Sequence, residues 1–137
     1  MAGDSGTTVA LDEQTRQLFD DANFPVVATA DSLGRLASAV VWFARDGETL
    51  LFVTGRTSPK ARNIADNPRV SISVHDRENP YRASEVRGTA EFTSDDPVGL
   101  LNQLAHKYLG QSEYSDSDPS ETVVIRVRPT KVVPFSG

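Results

Sequence analysis

Short segments that alternate apolar and polar residues, separated by turns rather than by regular helices, constrain this chain most. The clearest is 70–74, Val-Ser-Ile-Ser-Val, where every second residue is apolar, as a half-buried strand requires. Asp46-Gly47 lies between two apolar segments and is a typical hairpin signal. Strands joined by short turns pair antiparallel, because parallel pairs need a long crossover, usually a helix. A doubly wound parallel sheet is therefore disfavoured.

We predict six strands. Residues 26–54 are expected to form an antiparallel meander of three strands, and the chain adds three more beyond it. In order, the predicted strands are 26–30, 36–43, 49–54, 70–74, 83–93 and 122–127. Gly88, inside the fifth strand, indicates a bulge or a close approach of two backbones.

Helical spacing is confined to three stretches. The first begins near Leu11 and stops before Pro25, and the second begins at Ser58-Pro59, a cap followed by a first-turn proline. The third opens at 94–97 and ends at Gly110, with Leu100, Leu101, Leu104 and Tyr108 on one face. With so few helices, the fold class is predicted to be mainly β, a small antiparallel barrel with flanking helices.

Length and charge limit the function classes. A chain of 137 residues suits a single domain over 1–137, with residues 1–10 as a flexible tail. The net charge of −5 disfavours a general nucleic-acid binder, which needs a basic footprint. No apolar run reaches membrane-spanning length and no signal-peptide pattern opens the chain, so we expect a cytoplasmic protein.

Several reactive constellations are missing from the sequence. The absence of cysteine excludes disulfides, thiolate metal sites and a cysteine nucleophile. His75 and His106 are the only histidines, and no third ligand stands at suitable spacing, so no metal site is predicted. Neither a nucleophile elbow nor a Rossmann glycine motif is present.

The segment 55–69 is basic within an acidic chain. It holds Arg56, Lys60, Arg62 and Arg69 against Asp66 alone, a local charge of +3. A helix start with nearby cations suits a phosphate or another anion. On the residues alone, an ordinary solvated helix start that pairs with Asp66 or with acidic neighbours is slightly favoured over an anion site.

Two further features have alternative interpretations. Trp42, the only tryptophan, is either a core residue or a flat wall for an aromatic ligand. The stretch 79–88 is either a surface strand with ion pairs or part of a binding site. An apolar patch of Val40, Trp42, Leu50 and Phe52 is expected on one face of the meander, and such a patch is normally covered by a partner.

Taken together, these segments resemble a known family. Its blocks are Val53-Thr54-Gly55, Lys60-Ala61-Arg62-Asn63, Asn79-Pro80-Tyr81-Arg82 and Glu85-Val86-Arg87-Gly88. In this order they resemble the split-barrel flavin and deazaflavin oxidoreductases, the superfamily of pyridoxamine 5'-phosphate oxidase. The likeness covers residues 12–130 and is greatest to the small actinobacterial branch that uses coenzyme F420.

The resemblance implies a six-stranded antiparallel split β-barrel and a homodimer with two cofactor sites at the subunit interface. It places Ser38, Val40 and Trp42 along the cofactor ring, and Val53 and Thr54 beside the ring or its ribityl chain. Lys60, with Arg56, Ser58 and Arg62, would hold the cofactor phosphate. Tyr81 and Arg82 would reach the cofactor from the partner subunit.

The resemblance also indicates a reaction, the transfer of a hydride between reduced F420 and an electron-poor organic acceptor. An FMN-binding flavoprotein and a non-catalytic carrier of a flavin or tetrapyrrole are the alternatives. Catalytic residues are not assigned, and Tyr81 and a water are the candidate proton donors. Where pyridoxamine phosphate oxidase has Arg-Gln-Val-Arg, this chain has Arg-Ala-Ser-Glu at 82–85, so vitamin B6 oxidation is not expected.

Overall fold

The computed structural model describes residues 8–113 and 119–136. Three helices and seven strands follow one another along the chain. The helices are α1 (Glu13–Asp20), α2 (Pro59–Asp66) and α3 (Pro97–Leu109). The strands are β1 (Val26–Ala30), β2 (Leu36–Val40), β3 (Ala44–Asp46), β4 (Thr49–Gly55), β5 (Arg69–His75), β6 (Arg82–Phe92) and β7 (Thr122–Ser136).

All seven strands form one antiparallel sheet in the order β2-β1-β5-β6-β7-β4-β3. The sheet does not close between β2 and β3, which confirms a mainly β fold of the split-barrel type. Its inner face, together with α1 and α2, encloses a core that includes Phe19, Phe43, Phe52 and Ile72. A second apolar cluster forms where Leu100 and Leu104 of α3 pack against Ala44 and Val124.

The predicted meander over 26–54 is wrong. The expected strand 36–43 divides into β2 and β3, so there are seven strands rather than six. β2 pairs with β1, while β3 pairs with β4 at the other end of the sheet. Residues 41–43 lie outside both strand ladders. The Val41 N–H donates to the Pro25 carbonyl at 3.0 Å, and the Phe43 N–H donates to the Tyr108 hydroxyl at 3.3 Å, so bonds to other parts of the chain replace strand pairing here.

The last strand is much longer than predicted. The expected end was Val127, but β7 continues to Ser136 and pairs with the whole of β6. Pro129 and Pro134 conceal this continuation in the sequence, because proline normally argues against a strand interior. The bulge predicted at Gly88 is confirmed, since the β6–β7 register shifts between Arg87 and Gly88.

The helix ends follow the predicted capping residues. The Ser58 hydroxyl accepts the Ala61 N–H at 3.2 Å, and Asn67 ends α2. Gly110 ends α3 with a left-handed φ of 72°. The predicted tail lies mostly outside the described residues, although the Val9 N–H donates to the Pro129 carbonyl at 2.9 Å. None of the helices described here has the length and apolar character needed to span a bilayer.

Gly88 gives a test of the β6–β7 register. A Cβ atom at this position would lie 2.5 Å from the Arg128 carbonyl oxygen and 3.0 Å from Val127 Cγ1. We expect Gly88→Ala to lower the free energy of unfolding by about 1–3 kcal/mol, the usual cost of overpacking. Urea denaturation measures the change.

Gly99→Ala is the matched control, because a Cβ there meets nothing within 4 Å. Alanine at this position of α3 should leave stability unchanged or raise it by up to about 1 kcal/mol. Equal stability of Gly88→Ala and the wild type would contradict the close approach of the two strands.

Candidate functional site

A pocket of about 290 Å³ lies where the sheet opens and α3 packs against it. Four residues predicted to bind a cofactor line it together: Val40, Trp42, Val53 and Lys60. They come from β2, from the break after it, from β4 and from α2. The site therefore has an apolar and aromatic wall with a lysine at one side, which suits a planar ring that carries an anionic group.

The basic residues of 55–69 lack carboxylate partners. Among residues 8–113 and 119–136, seven arginines form salt bridges, but Arg56, Lys60, Arg62 and Arg69 form none. Pairing of this segment with Asp66, the alternative left open by the sequence, is not observed. Arg56, Lys60 and Arg62 lie at or near the start of α2, whereas Arg69 follows its end at the start of β5. Cations without carboxylate partners give a positive field, which favours an anion.

The turn between β4 and α2 is held by its own polar groups. The hydroxyls of Thr54 and Ser58 share a hydrogen bond of 2.9 Å, and Thr54 is buried. The Arg56 N–H donates to the Glu121 carbonyl at 2.9 Å, and its side chain donates to the Ser120 carbonyl at 3.3 Å. These contacts fix the loop, so that Lys60 in the first turn of α2 reaches the pocket.

Other predicted residues lie elsewhere in the protomer. Ser38 is exposed on β2, two positions before Val40. Tyr81 and Arg82 are not at the pocket: Arg82 faces Ser136 at one end of β7, whereas Gly55 faces Thr122 at the other. That separation is roughly 45 Å along the strand at about 3.3 Å per residue. Within one protomer, these two residues do not join the other predicted site residues.

Arg82 already has partners in its own protomer. Its guanidinium donates to Gln17 Oε1 at 2.6 Å and lies 3.6 Å from the Asp76 carboxylate. Tyr81 is 64% exposed. Any contact of these two side chains with the pocket requires a second copy of the chain.

The residues of α3 that line the pocket were not predicted from the sequence. Leu101 and Leu104 line it, and Tyr108 stacks on Trp42 with ring centroids 5.1 Å apart. The apolar face of this helix was predicted, but periodicity alone could not say which strands it packs against.

A larger hollow of about 680 Å³ lies on the outer face of β1, β5 and β6. Small residues form much of its surface, including Ala28, Ala30, Ser71 and Gly88. Beside it, Leu36 is 83% exposed and Val40 is 64% exposed on β2. An apolar face of this kind is typical of a surface that another chain covers, rather than of an enclosed ligand site.

Comparison with known protein families gives a match over residues 11–134, to the model described as pyridoxamine 5'-phosphate oxidase. This span is nearly the whole chain. The chain belongs to the pyridoxamine 5'-phosphate oxidase family. Its fold is thus that of an oxidase or reductase family whose members bind flavin-type cofactors, as the resemblance indicated.

Two comparisons reach 35% identity or more. A solved structure named F420 reductase is 35% identical, with a TM-score of 0.80 over 89% of this chain and 98% of its own. A pyridoxine/pyridoxamine 5'-phosphate oxidase of Kineococcus radiotolerans is 39% identical over 71 residues, 52% of this chain. The match spans 31% of the length of that curated relative.

More distant structures share the fold alone. The heme storage protein of Vibrio cholerae is 18% identical, with a TM-score of 0.67 over 93% of this chain and 98% of its own. One architecture thus occurs in proteins named for different ligands, and function has to be argued from the site.

Proposed function

We propose that this chain is an F420-dependent oxidoreductase that transfers a hydride between the reduced deazaflavin and an electron-poor organic acceptor. The observation that carries the proposal is the pocket walled by Trp42 and bordered by Lys60. Lys60 belongs to a basic segment in which Arg56, Arg62 and Arg69 also have no carboxylate partner among residues 8–113 and 119–136. The 35% identical structure named F420 reductase supports the choice of deazaflavin.

The residues of the pocket fit such a group. Val40, Trp42 and Val53 would bind the tricyclic ring and exclude water from its reactive face. Lys60 would hold the first phosphate, with Ser58, Thr54 and Arg56 keeping the turn in place. When bound, the deazaflavin supplies the hydride chemistry, and the protein orients the ring and the acceptor.

The other basic residues suit the remainder of F420, whose tail carries several glutamate carboxylates. Arg62 is exposed on α2, and Arg69 is exposed at the start of β5. Neither forms an ion pair within the described residues. FMN has the same type of ring and one phosphate but no such tail, so these two arginines would favour F420 over FMN.

Of the carrier alternatives, a carrier of an iron tetrapyrrole has less support from the pocket than a carrier of a flavin. A tetrapyrrole that carries iron is commonly held by a histidine, cysteine, methionine or tyrosine side chain. None of these residue types lines the pocket in the described part of the chain. FMN remains the competing ligand, and the titrations below distinguish it from F420.

We also propose a homodimer that brings Tyr81 and Arg82 of a second copy to the pocket. The support is the outer face of β2, where Leu36 and Val40 are exposed. The patch expected from the sequence was wrong in part, because Leu50 and Phe52 are fully buried in the core. Of the expected patch, Val40 is exposed, and it shares β2, at the open edge of the sheet, with the exposed Leu36.

Removal of the lysine tests the phosphate contact. We expect Lys60→Ala to weaken cofactor binding about 10- to 150-fold, the scale of one charge-assisted hydrogen bond of roughly 1.5–3 kcal/mol. Fluorescence titration with F420 and FMN measures the dissociation constants. Lys131→Ala, which removes an exposed lysine of β7, is the control and should bind normally. Unchanged affinity of Lys60→Ala with a large fall in melting temperature would make Lys60 a structural residue.

Salt dependence distinguishes the two cofactors. Attraction between solvated charges weakens beyond a Debye length of about 8 Å at physiological salt, so a tail with several carboxylates is screened more than a single phosphate. We expect F420 affinity to fall more steeply with added salt than FMN affinity. Arg62→Glu should weaken F420 selectively, whereas Lys131→Glu makes the same charge change elsewhere and should not. Equal salt slopes, with FMN as the tighter ligand, would replace the deazaflavin assignment by an FMN flavoprotein.

A single charge on β2 tests the dimer. We expect the wild type to sediment as a dimer at micromolar concentration and Leu36→Glu to sediment as a monomer, because a carboxylate would be buried in an apolar interface. Leu109→Glu is the control, since Leu109 is 52% exposed and lies on α3 rather than on β2. A monomeric wild type would contradict a site shared between two copies.

A further inference from the structure

Trp42 lies in the break between β2 and β3, where the strand ladders do not hold the backbone. Val41 donates its N–H to the Pro25 carbonyl at 3.0 Å. At Phe43 the partners come from α3 instead: its N–H donates to the Tyr108 hydroxyl at 3.3 Å, and its carbonyl accepts Lys107 Nζ at 2.6 Å. Two consecutive residues in the last turn of α3 thus bind both polar groups of the residue that follows Trp42.

The same tyrosine also contacts the indole. The rings of Tyr108 and Trp42 are stacked, with centroids 5.1 Å apart and planes 5° from parallel. The Tyr108 hydroxyl donates to the Asn23 carbonyl at 2.7 Å, so the ring is fixed at its far end as well. Phe24 packs beside it at 5.5 Å. A ring held by its face and by its hydroxyl can impose its plane on the side chain stacked against it.

The protonation states suit this arrangement. Burial raises the pKa of Tyr108, against a smaller lowering by the Phe43 N–H, so the phenol keeps its proton and donates to Asn23. Burial lowers the pKa of Lys107 to about 8, opposed by the nearby carboxylates of Asp20 and Asp21. At neutral pH the ammonium is therefore charged, and it binds the carbonyls of both Phe43 and Phe19.

We propose that Tyr108 is a positioning residue that sets the plane of Trp42 and thereby the shape of the pocket wall against which a planar ring binds. The identity of the bound ring rests on the proposed function, whereas the positioning of Trp42 by Tyr108 does not. Docking of α3 is provided by Leu100 and Leu104, which are buried against Val124. Tyr108 itself is only half-buried. It stacks on Trp42, packs beside Phe24 and hydrogen-bonds to Phe43 and Asn23.

The first test needs no ligand. Because Trp42 is the only tryptophan, the decay of tryptophan fluorescence anisotropy reports on this side chain alone. We expect Tyr108→Leu to increase the amplitude of the fast, local decay, and Tyr108→Phe, which keeps the ring and loses both hydrogen bonds, to give an intermediate value. Leu109→Ala, a change at the next residue of α3, should match the wild type.

The second test uses riboflavin and FMN, which share a ring and differ by one phosphate. Tyr108→Leu should raise the dissociation constants of both by the same factor, between about two- and tenfold, the scale of one aromatic pair. Tyr108→Phe should restore most of this loss. Lys60→Ala should weaken FMN and leave riboflavin unchanged, which separates the ring contact from the phosphate contact.

A failure of this inference can be distinguished from a failure of the proposed function. If the wild type binds neither a flavin nor F420, the proposed function fails, and the ligand-free anisotropy still decides the role of Tyr108. An unchanged anisotropy decay in folded Tyr108→Leu overturns the inference. If Tyr108→Leu does not fold, an unchanged anisotropy decay in Tyr108→Phe overturns the inference.

Discussion

Residues 41–43 leave the sheet between β2 and β3, and much of the architecture depends on this break. Their backbone is held instead by the Pro25 carbonyl and by Tyr108 and Lys107 of α3. Beside the break, Phe43 packs among Phe19 and Phe52 inside the barrel, whereas Ala44 packs under α3. The break separates β2 from β3, leaves the sheet open between them and places Trp42 at the opening.

The charge distribution complements this geometry. Seven arginines elsewhere in the described residues are paired with carboxylates, whereas Arg56, Lys60 and Arg62 near the start of α2 are not. Like charges on one short segment repel one another, so these cations give no stability to the fold by themselves. Their charge becomes favourable when an anion binds, and the pocket beside Lys60 is the place where a bound ring and its phosphate would both find partners.

Local signals in the sequence predicted much of this arrangement. Ser58-Pro59 located the start of α2, and Gly88 located the bulge, because each residue has a specific backbone reason to be there. Val40, Trp42, Val53 and Lys60 were selected through the family resemblance, and the fold brings them to one pocket. The roles assigned to them remain predictions.

The features that could not be predicted from the sequence depend on contacts between residues far apart in the chain. The division of 36–43 into two strands accompanies the bonds that residues 41–43 make to Pro25, Lys107 and Tyr108, which lie elsewhere in the sequence. The continuation of β7 past Pro129 depends on its pairing with β6. The contact of Tyr108 with Trp42 joins residues 66 positions apart, and the hydroxyl bonds of Tyr108 depend on where α3 docks.

We propose that the pocket bounded by Trp42 and Lys60 binds the ring and phosphate of a flavin-type cofactor. A crystal structure of the protein with F420 bound would show whether it does. We expect the ring to lie against Val40 and Trp42, and the first phosphate to lie within hydrogen-bond distance of Lys60 Nζ. A cofactor bound instead in the hollow of Ala28, Ser71 and Gly88, with no contact to α2, would contradict the account.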